Sequence, residues 1–322
     1  MRGTEEFRIL IEQQLNDLDF PNDPVRLYDP IRYTLSLGGK RLRPILVLMG
    51  AELAGEDFNA AMKPALGMEL FHNFTLLHDD IMDNAPLRRG KPTVFKKWSC
   101  NIAILSGDVM FTEASRLISD APLNCLKEVL DVFYKTAKEV CEGQQMDMDY
   151  EERDDVSVSE YMEMIRKKTA VLLGASLQIG ALCGGADSEK AERLYAAGCH
   201  FGLAFQLQDD LLDVFGDPDV FGKQQGGDII SDKKTFLRLR ALEIAEGDNK
   251  EALKNSFNIK SEIDKINSVT ALFNELGIKE ETFREIKRQL HLGEDSLQKT
   301  GFTSEKLDAL KGLTAGLLMR TT

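Results

Sequence analysis

The chain has 322 residues, of which 43% are hydrophobic and 29% charged, with nine prolines, so it can bury a sizeable core and is not a disordered chain. A formal charge of -13 argues against nonspecific nucleic-acid binding, although local basic clusters can still hold anions. No apolar run reaches the roughly 18 residues needed to span a bilayer, and the N-terminus lacks a secretory apolar region. The five cysteines never form CxxC, so a cytoplasmic protein without a zinc cage or disulfide framework is expected.

Helical spacing in Phe7, Leu10, Ile11, Leu15 and Leu18 predicts a first helix over Glu5 to Phe20, with Pro21, Pro24 and Pro30 breaking the pattern afterwards. Gly38-Gly39-Lys40-Arg41-Leu42-Arg43-Pro44 then precedes an apolar helix. Glycines, a helix N-terminus and fixed cations together suit a phosphate, though the same pattern also suits a turn with solvated basic residues. A long helix from about Pro64 ends in Asp79-Asp80-Ile81-Met82-Asp83, followed by a Pro/Gly-punctuated loop holding Arg88, Arg89 and Lys91.

Further helices are predicted from Asn101 to Ile118, Leu126 to about Met148, and from about Ser159 through Arg166-Lys167-Lys168-Thr169 into Ala170 to Leu182, whose glycines suggest close helix packing. Gln144 and Asp147, three apart, add a polar pair to the second of these. A helix over Ser188 to Phe215 carries Gln208-Asp209-Asp210-Leu211-Leu212-Asp213, and the loop after it holds Lys223, Gly226, Gly227 and Lys233. The C-terminal third reads as amphipathic helices. With no convincing strand, linker or long-period repeat, the expectation is an all-α single domain over 1–322, a helical bundle around a deep central cavity.

In both acidic motifs the first and last aspartates are four residues apart, about 40° on the wheel, and project from one face. Like charges so placed, in the first motif near the negative end of the helix dipole, call for a counter-charge. Oxygen-only ligation points to Mg²⁺, and solvated acidic helix faces are the plainer alternative.

Taken together, the Gly38 to Pro44 stretch, Asp79 to Asp83 with Arg88-Arg89-Gly90, Gly143-Gln144, Lys168-Thr169, Phe205 to Asp210 with Asp213, Gly222-Lys223 and Lys233 resemble the trans-isoprenyl diphosphate synthases in content and order. The resemblance covers most of the chain and implies the isoprenoid synthase fold and a homodimer. It implies that Asp79, Asp83 and Asp209 bind about three Mg²⁺ ions holding an allylic diphosphate, with Asp80, Asp147, Asp210 and Asp213 as further ligands or outer acceptors. Arg88, Lys168, Lys223 and Lys233 would contact that diphosphate. Lys40, Arg43, His72 and Arg89 would bind isopentenyl diphosphate, while Thr169, the Lys168 carbonyl and Gln206 face the developing allylic cation. Gln144 belongs to the same substrate-binding set. His78, Cys141 and Trp98 are expected to be structural.

Phe74 and Phe71 lie five and eight residues before Asp79, about 7.5 and 12 Å along a helix, where bulk can floor a cavity, and plain core packing is the equally open alternative. In the resembling family an aromatic at the fifth position blocks long products. Thr75, in place of a second aromatic, leaves more room than farnesyl synthases usually have. A C20 product is expected, then C15. A class I terpene cyclase and a non-catalytic subunit of a heteromeric synthase are the alternatives; the first holds only one diphosphate, and the second does not need intact aspartates.

Overall fold

A computed structural model describes residues 2–55, 57–216 and 226–318. The fold is all-α, with one minimal hairpin among the described residues. The chain divides into two compact units, Met1–Lys135 with Leu173–Tyr195 and Lys299–Leu310, and Thr136–Leu172 with Ala196–Gln298 and Lys311–Thr322.

The first unit contains α1 (Thr4–Asn16), α2 (Val25–Ser36), α3 (Leu42–Ala54), a 3-10 turn at Phe58–Ala61, α4 (Met62–Met82), β1 (Leu87–Arg88), β2 (Lys91–Pro92), α5 (Val94–Lys97) and α6 (Cys100–Ile118). Leu126–Glu151 forms α7, Val158–Ile165 forms α8, and a π-turn at Arg166–Ala170 leads into α9 (Val171–Cys183) and then α10 (Ser188–Phe215). After the segment 217–225 come α11 (Gly227–Ile230), α12 (Phe236–Ile244), α13 (Gly247–Ser256), α14 (Glu262–Glu275), α15 (Ile278–Gln298) and α16 (Ser304–Leu318).

Three expectations change, the first being that α1 stops at Asn16, short of Phe20. Pro30 does not break the chain but lies inside α2, where it costs about 3 kcal/mol of helix stability. Tertiary packing offsets that cost: Pro30, Ile31 and Thr34 are buried, and Ser106 of α6 donates to the Leu27 carbonyl at 2.9 Å. The Pro/Gly loop after α4 is a hairpin, with Leu87 opposite Pro92 and Arg88 opposite Lys91. Its turn residues Arg89 and Gly90 have φ of 53° and 73°, the left-handed pair that a two-residue hairpin requires.

Helix α3 is buried almost throughout because small residues let α9 approach its backbone. A Cβ on Gly180 would stand 1.9 Å from the Val47 carbonyl oxygen, and one on Gly50 would stand 2.5 Å from that of Leu177. In the second unit the core gathers Tyr161, Leu203, Leu207, Phe236 and Phe273, with α12 packed on α8 and α15.

Gly180→Ala is expected to destabilise the protein by about 2–4 kcal/mol, because neither backbone can move aside alone. The urea unfolding midpoint of this variant measures the loss; a wild-type midpoint would show that Gly180 does not set the α3–α9 spacing.

Candidate active site

The basic stretch before α3 separates into side chains with different tasks. Arg41, in the left-handed region at φ 49°, points inward and is 3% exposed. Its guanidinium donates to Glu12 Oε1 at 2.8 Å, Glu69 Oε1 at 2.7 Å and the Leu35 carbonyl at 2.8 Å. These bonds offset both the backbone strain, about 1–3 kcal/mol, and the burial of charge. Lys40 stays exposed, and Arg43 NH1 lies 3.0 Å from His72 Nε2 on α4. A guanidinium can only donate, so Nε2 accepts and the His72 proton sits on Nδ1.

Arg89 completes this cluster. Its guanidinium covers Gly39, whose φ is 144° and on which a Cβ would meet Arg89 NH2 at 2.8 Å. Burial pushes Arg43 down to about 10, with Glu69 acting against the shift and the Arg89 charge adding to it. Arg89 is lowered by burial and then by Arg41. Burial, followed by the charges of Arg43, Arg89, Arg88 and Arg41, holds His72 well below its ordinary 6.5, so the ring is neutral at pH 7. Arg43 Nε is buried without a hydrogen-bond partner among the described residues. Crowded cations with depressed proton affinity and an unused donor suit an anion.

At the end of α4 the acidic motif splits in the same way. Asp80 is 5% exposed and accepts from Arg88 Nε at 2.8 Å, which makes it the outer acceptor among the roles expected for it. Arg88 NH2 stands 2.7 Å from Asp80 and 3.7 Å from Asp79. Burial raises Asp80 despite the Arg88 bond. Asp83 caps the helix in an exposed position. His78 is structural, as expected, with Nε2 at 3.2 Å from the Ile104 carbonyl and its ring against Gly107. Trp98 packs edge-on against Tyr33, whereas Cys141 is exposed on α7.

In the second unit Lys168 and Thr169 stand on the π-turn, where Val171 N–H bonds to the Arg166 carbonyl. Such turns re-aim side chains within a helix. Gly143 of α7 permits it, since a Cβ there would lie 2.3 Å from the Lys168 amide nitrogen. Lys168 Nζ reaches Asp147 at 2.6 Å. Gln144 Nε2 is buried without a partner among the described residues. Thr169 Oγ1 donates to Gln206 Oε1 at 3.3 Å, and Gln206 Nε2 donates to Asp210 Oδ1 at 3.1 Å.

Asp209 is exposed on α10, while Asp210 is 4% exposed and also accepts a short bond from the Tyr161 phenol. Burial and then the Asp228 charge push Asp210 up to about 7, against the bonds from Tyr161 and Gln206. Asp213 Oδ2 accepts from the Asp228 N–H at 3.0 Å, and Lys233 Nζ is 3.9 Å from Asp228 Oδ1. Lys223 lies outside the described residues. Tyr161 and Asp228 escaped the sequence reading; the signal for Asp228 was its position directly after Gly226-Gly227, at the start of α11.

No group of three or more His, Cys, Asp or Glu side chains able to hold a metal by itself lies among the described residues. Mg²⁺ commonly takes only one or two carboxylates and completes its shell with water and substrate phosphate. Carboxylates too few to form a cage by themselves are compatible with a metal that arrives with a diphosphate.

Phe71 is fully buried and Phe74 half-buried; with Phe111 of α6 and Phe133 of α7 they form a cluster with ring centroids 5.4 to 6.2 Å apart. Thr75 Oγ1 is turned onto the His72 carbonyl at 2.8 Å. Phe111 and Phe133 were not singled out from sequence, since an isolated phenylalanine on a helix has no local mark of this role.

Residues 24–276 match the polyprenyl synthetase family model, and the chain belongs to that family of prenyltransferases. Over 223 residues it is 45% identical to a geranylgeranyl diphosphate synthase of Methanosarcina mazei, covering 68% of each chain. A geranylfarnesyl diphosphate synthase of Natronomonas pharaonis is 39% identical over 255 residues, 73% of this chain and 74% of that one. Among solved structures, a geranylgeranyl pyrophosphate synthase superposes with a TM-score of 0.94 at 43% identity over 100% of both chains. The isoprenoid synthase fold follows from these neighbours. No helix among the described residues is long and apolar enough to cross a membrane.

The depressed proton affinity of His72 has a measurable consequence. Below its ordinary 6.5 the unfolded ring takes up a proton that the folded ring refuses, so stability falls as pH drops through that value. The extra loss is up to about 1.4 kcal/mol per pH unit, and His72→Gln removes it. Urea unfolding at pH 7 and pH 5 compares the two proteins; equal losses would show that His72 is not held neutral.

Proposed function

We propose that the chain condenses isopentenyl diphosphate with an allylic diphosphate, as one polyprenyl synthase domain. Its main product is geranylgeranyl diphosphate, C20, with farnesyl diphosphate, C15, next. The observation that carries this reading is the pair of cations Arg43 and Arg89 with the neutral His72, distinct from the Arg88-Asp80 pair of the first acidic motif. A cyclase has one diphosphate to hold, whereas condensation has two. Intact aspartates in both motifs speak against a non-catalytic subunit.

Lys40, Arg43, His72 and Arg89 hold the diphosphate of isopentenyl diphosphate; the neutral His72 donates through Nδ1. By the resemblance, Asp79, Asp83 and Asp209 would hold Mg²⁺, while Asp80 pairs with Arg88, Asp147 with Lys168, and Asp210 and Asp213 accept from Gln206 and the Asp228 amide. Bound Mg²⁺ supplies charge neutralisation to the allylic diphosphate leaving group. By the resemblance, Arg88, Lys168 and Lys233 would contact that diphosphate, as would Lys223, which lies outside the described residues. Thr169 and Gln206 present oxygen dipoles where allylic positive charge develops, and Gln144 offers its amide to substrate. The proton lost from isopentenyl diphosphate passes to the released diphosphate, so no Ser-His-Asp set is required.

Phe74, partly exposed against Phe71 and Phe111, forms the floor that limits chain growth. A homodimer is proposed as well, and the adjacent exposed Ile104 and Leu105 of α6 are the apolar surface that supports it. Sedimentation velocity tests the dimer; a monomeric particle at micromolar concentration overturns it.

The experiment for the activity is incubation with labelled isopentenyl diphosphate, each allylic primer and Mg²⁺, followed by chain-length analysis. C20 is expected to dominate, and failure to extend any primer overturns condensation. Phe74→Ala is expected to lengthen the products, while an unchanged distribution places the floor elsewhere. In the same assay Asp79→Ala or Asp209→Ala is expected to reduce turnover about a thousandfold or more while the fold persists, and near-normal rates would remove the metal assignment.

A further inference from the structure

The amide of Gln206 is fixed by a line of contacts that begins on Tyr161. Tyr161 of α8 is 3% exposed, and its phenol donates to Asp210 Oδ2. The other carboxylate oxygen, Oδ1, accepts from Gln206 Nε2 at 3.1 Å, and Gln206 Oε1 accepts from Thr169 Oγ1 at 3.3 Å. All four side chains belong to the second compact unit. With Asp210 ionised both of its oxygens accept, so Gln206 offers its NH₂ to Asp210 and its carbonyl oxygen to Thr169. Turned over, the amide would set oxygen against oxygen at Asp210.

We propose that Tyr161 is a positioning residue for prenyl transfer: it seats Asp210, which locks Gln206 with the negative end of its dipole beside Thr169. The proposal rests on the assignment of Thr169 and Gln206 to the side facing the allylic cation. Without the phenol, Asp210 loses its shortest contact while remaining buried near Asp228, and its carboxylate can rotate. Gln206 is then free to flip. A flipped amide presents NH₂, the positive end of its dipole, to a developing cation, which opposes the reaction without touching either diphosphate.

The test is a double-mutant cycle of Tyr161→Phe and Gln206→Ala in the full-length enzyme with Mg²⁺, reading kcat, KM for isopentenyl diphosphate and the share of primer captured by water. Tyr161→Phe alone is expected to lower kcat about tenfold, leave that KM within about twofold and raise the water-captured share. In the Gln206→Ala background the same change is expected to have no further effect. If the two effects multiply, Tyr161 does not act through Gln206 and the proposal is overturned. If Gln206→Ala turns over at the wild-type rate, the assignment of Gln206 itself fails and the Tyr161 route falls with it, a distinguishable result. Should Tyr161→Phe not fold, the near-isosteric Asp210→Asn, which lets Gln206 bond in either orientation, takes its place in the cycle with the same outcomes.

Discussion

Each described cation assigned to the allylic diphosphate rests against a carboxylate of its own compact unit: Arg88 on Asp80, Lys168 on Asp147 and Lys233 near Asp228. Each cation is thus partly balanced by its neighbour, which agrees with the proposal that the allylic diphosphate comes with divalent metal. Arg43 and Arg89 are arranged otherwise. Arg43 meets a neutral His72 and Arg89 covers a glycine, while the nearby carboxylate of Glu69 is committed to Arg41. Burial lowers the proton affinity of both, and the neighbouring guanidinium charges add to it, so an anion placed there would offset the cost of holding these cations away from water. On the proposed assignment, charge balance would distinguish the two diphosphates, in a chain whose net charge is -13.

Holding these pairs in register depends on how closely backbones approach. Gly143 lets α7 lie against the Lys168 amide, and the widened π-turn beside it presents Lys168 toward Asp147 and Thr169 toward Gln206. Gly39 does the same for Arg89, whose guanidinium occupies the space a Cβ would fill. In both places a methyl group would displace a functional side chain or its backbone. The result is preorganisation: little side-chain motion remains to be frozen when a ligand binds.

The long helices were legible because their signal is local and repeated. Ser188–Phe215 has the bounds its pattern predicts, and both acidic motifs lie on helices as expected. What escaped depends on contacts distant in sequence. The π-turn has no sequence mark of its own, and Gly143 stands more than twenty residues before it. Lys40, Arg41 and Arg43 are alike in type, and only the positive φ of Arg41 sends that one inward to Glu12 and Glu69. Pro30 inside α2 shows burial overriding propensity. Tyr161 reads as a core aromatic because its partner, Asp210, lies 49 residues away.

The aromatic cluster separates Phe71 from Phe74, which their spacing before Asp79 does not. Both sit on α4 upstream of Asp79, and the wheel describes one helix alone. Phe111 and Phe133, from two other helices, enclose Phe71 and leave it 1% exposed. A ring enclosed on all sides supports its neighbours but cannot itself meet a growing chain, and its removal opens a cavity costing about 3–5 kcal/mol. Phe74 is half-buried, touching Phe71, Phe111 and His78. It has an open side and a rigid backing. A limit on product length requires both, since an unsupported ring would turn aside at the cost of one rotamer. On the proposed role the floor is a property of the cluster, with Phe74 as its face and Phe71 and Phe111, both backed by Phe133, as the reason that face does not yield.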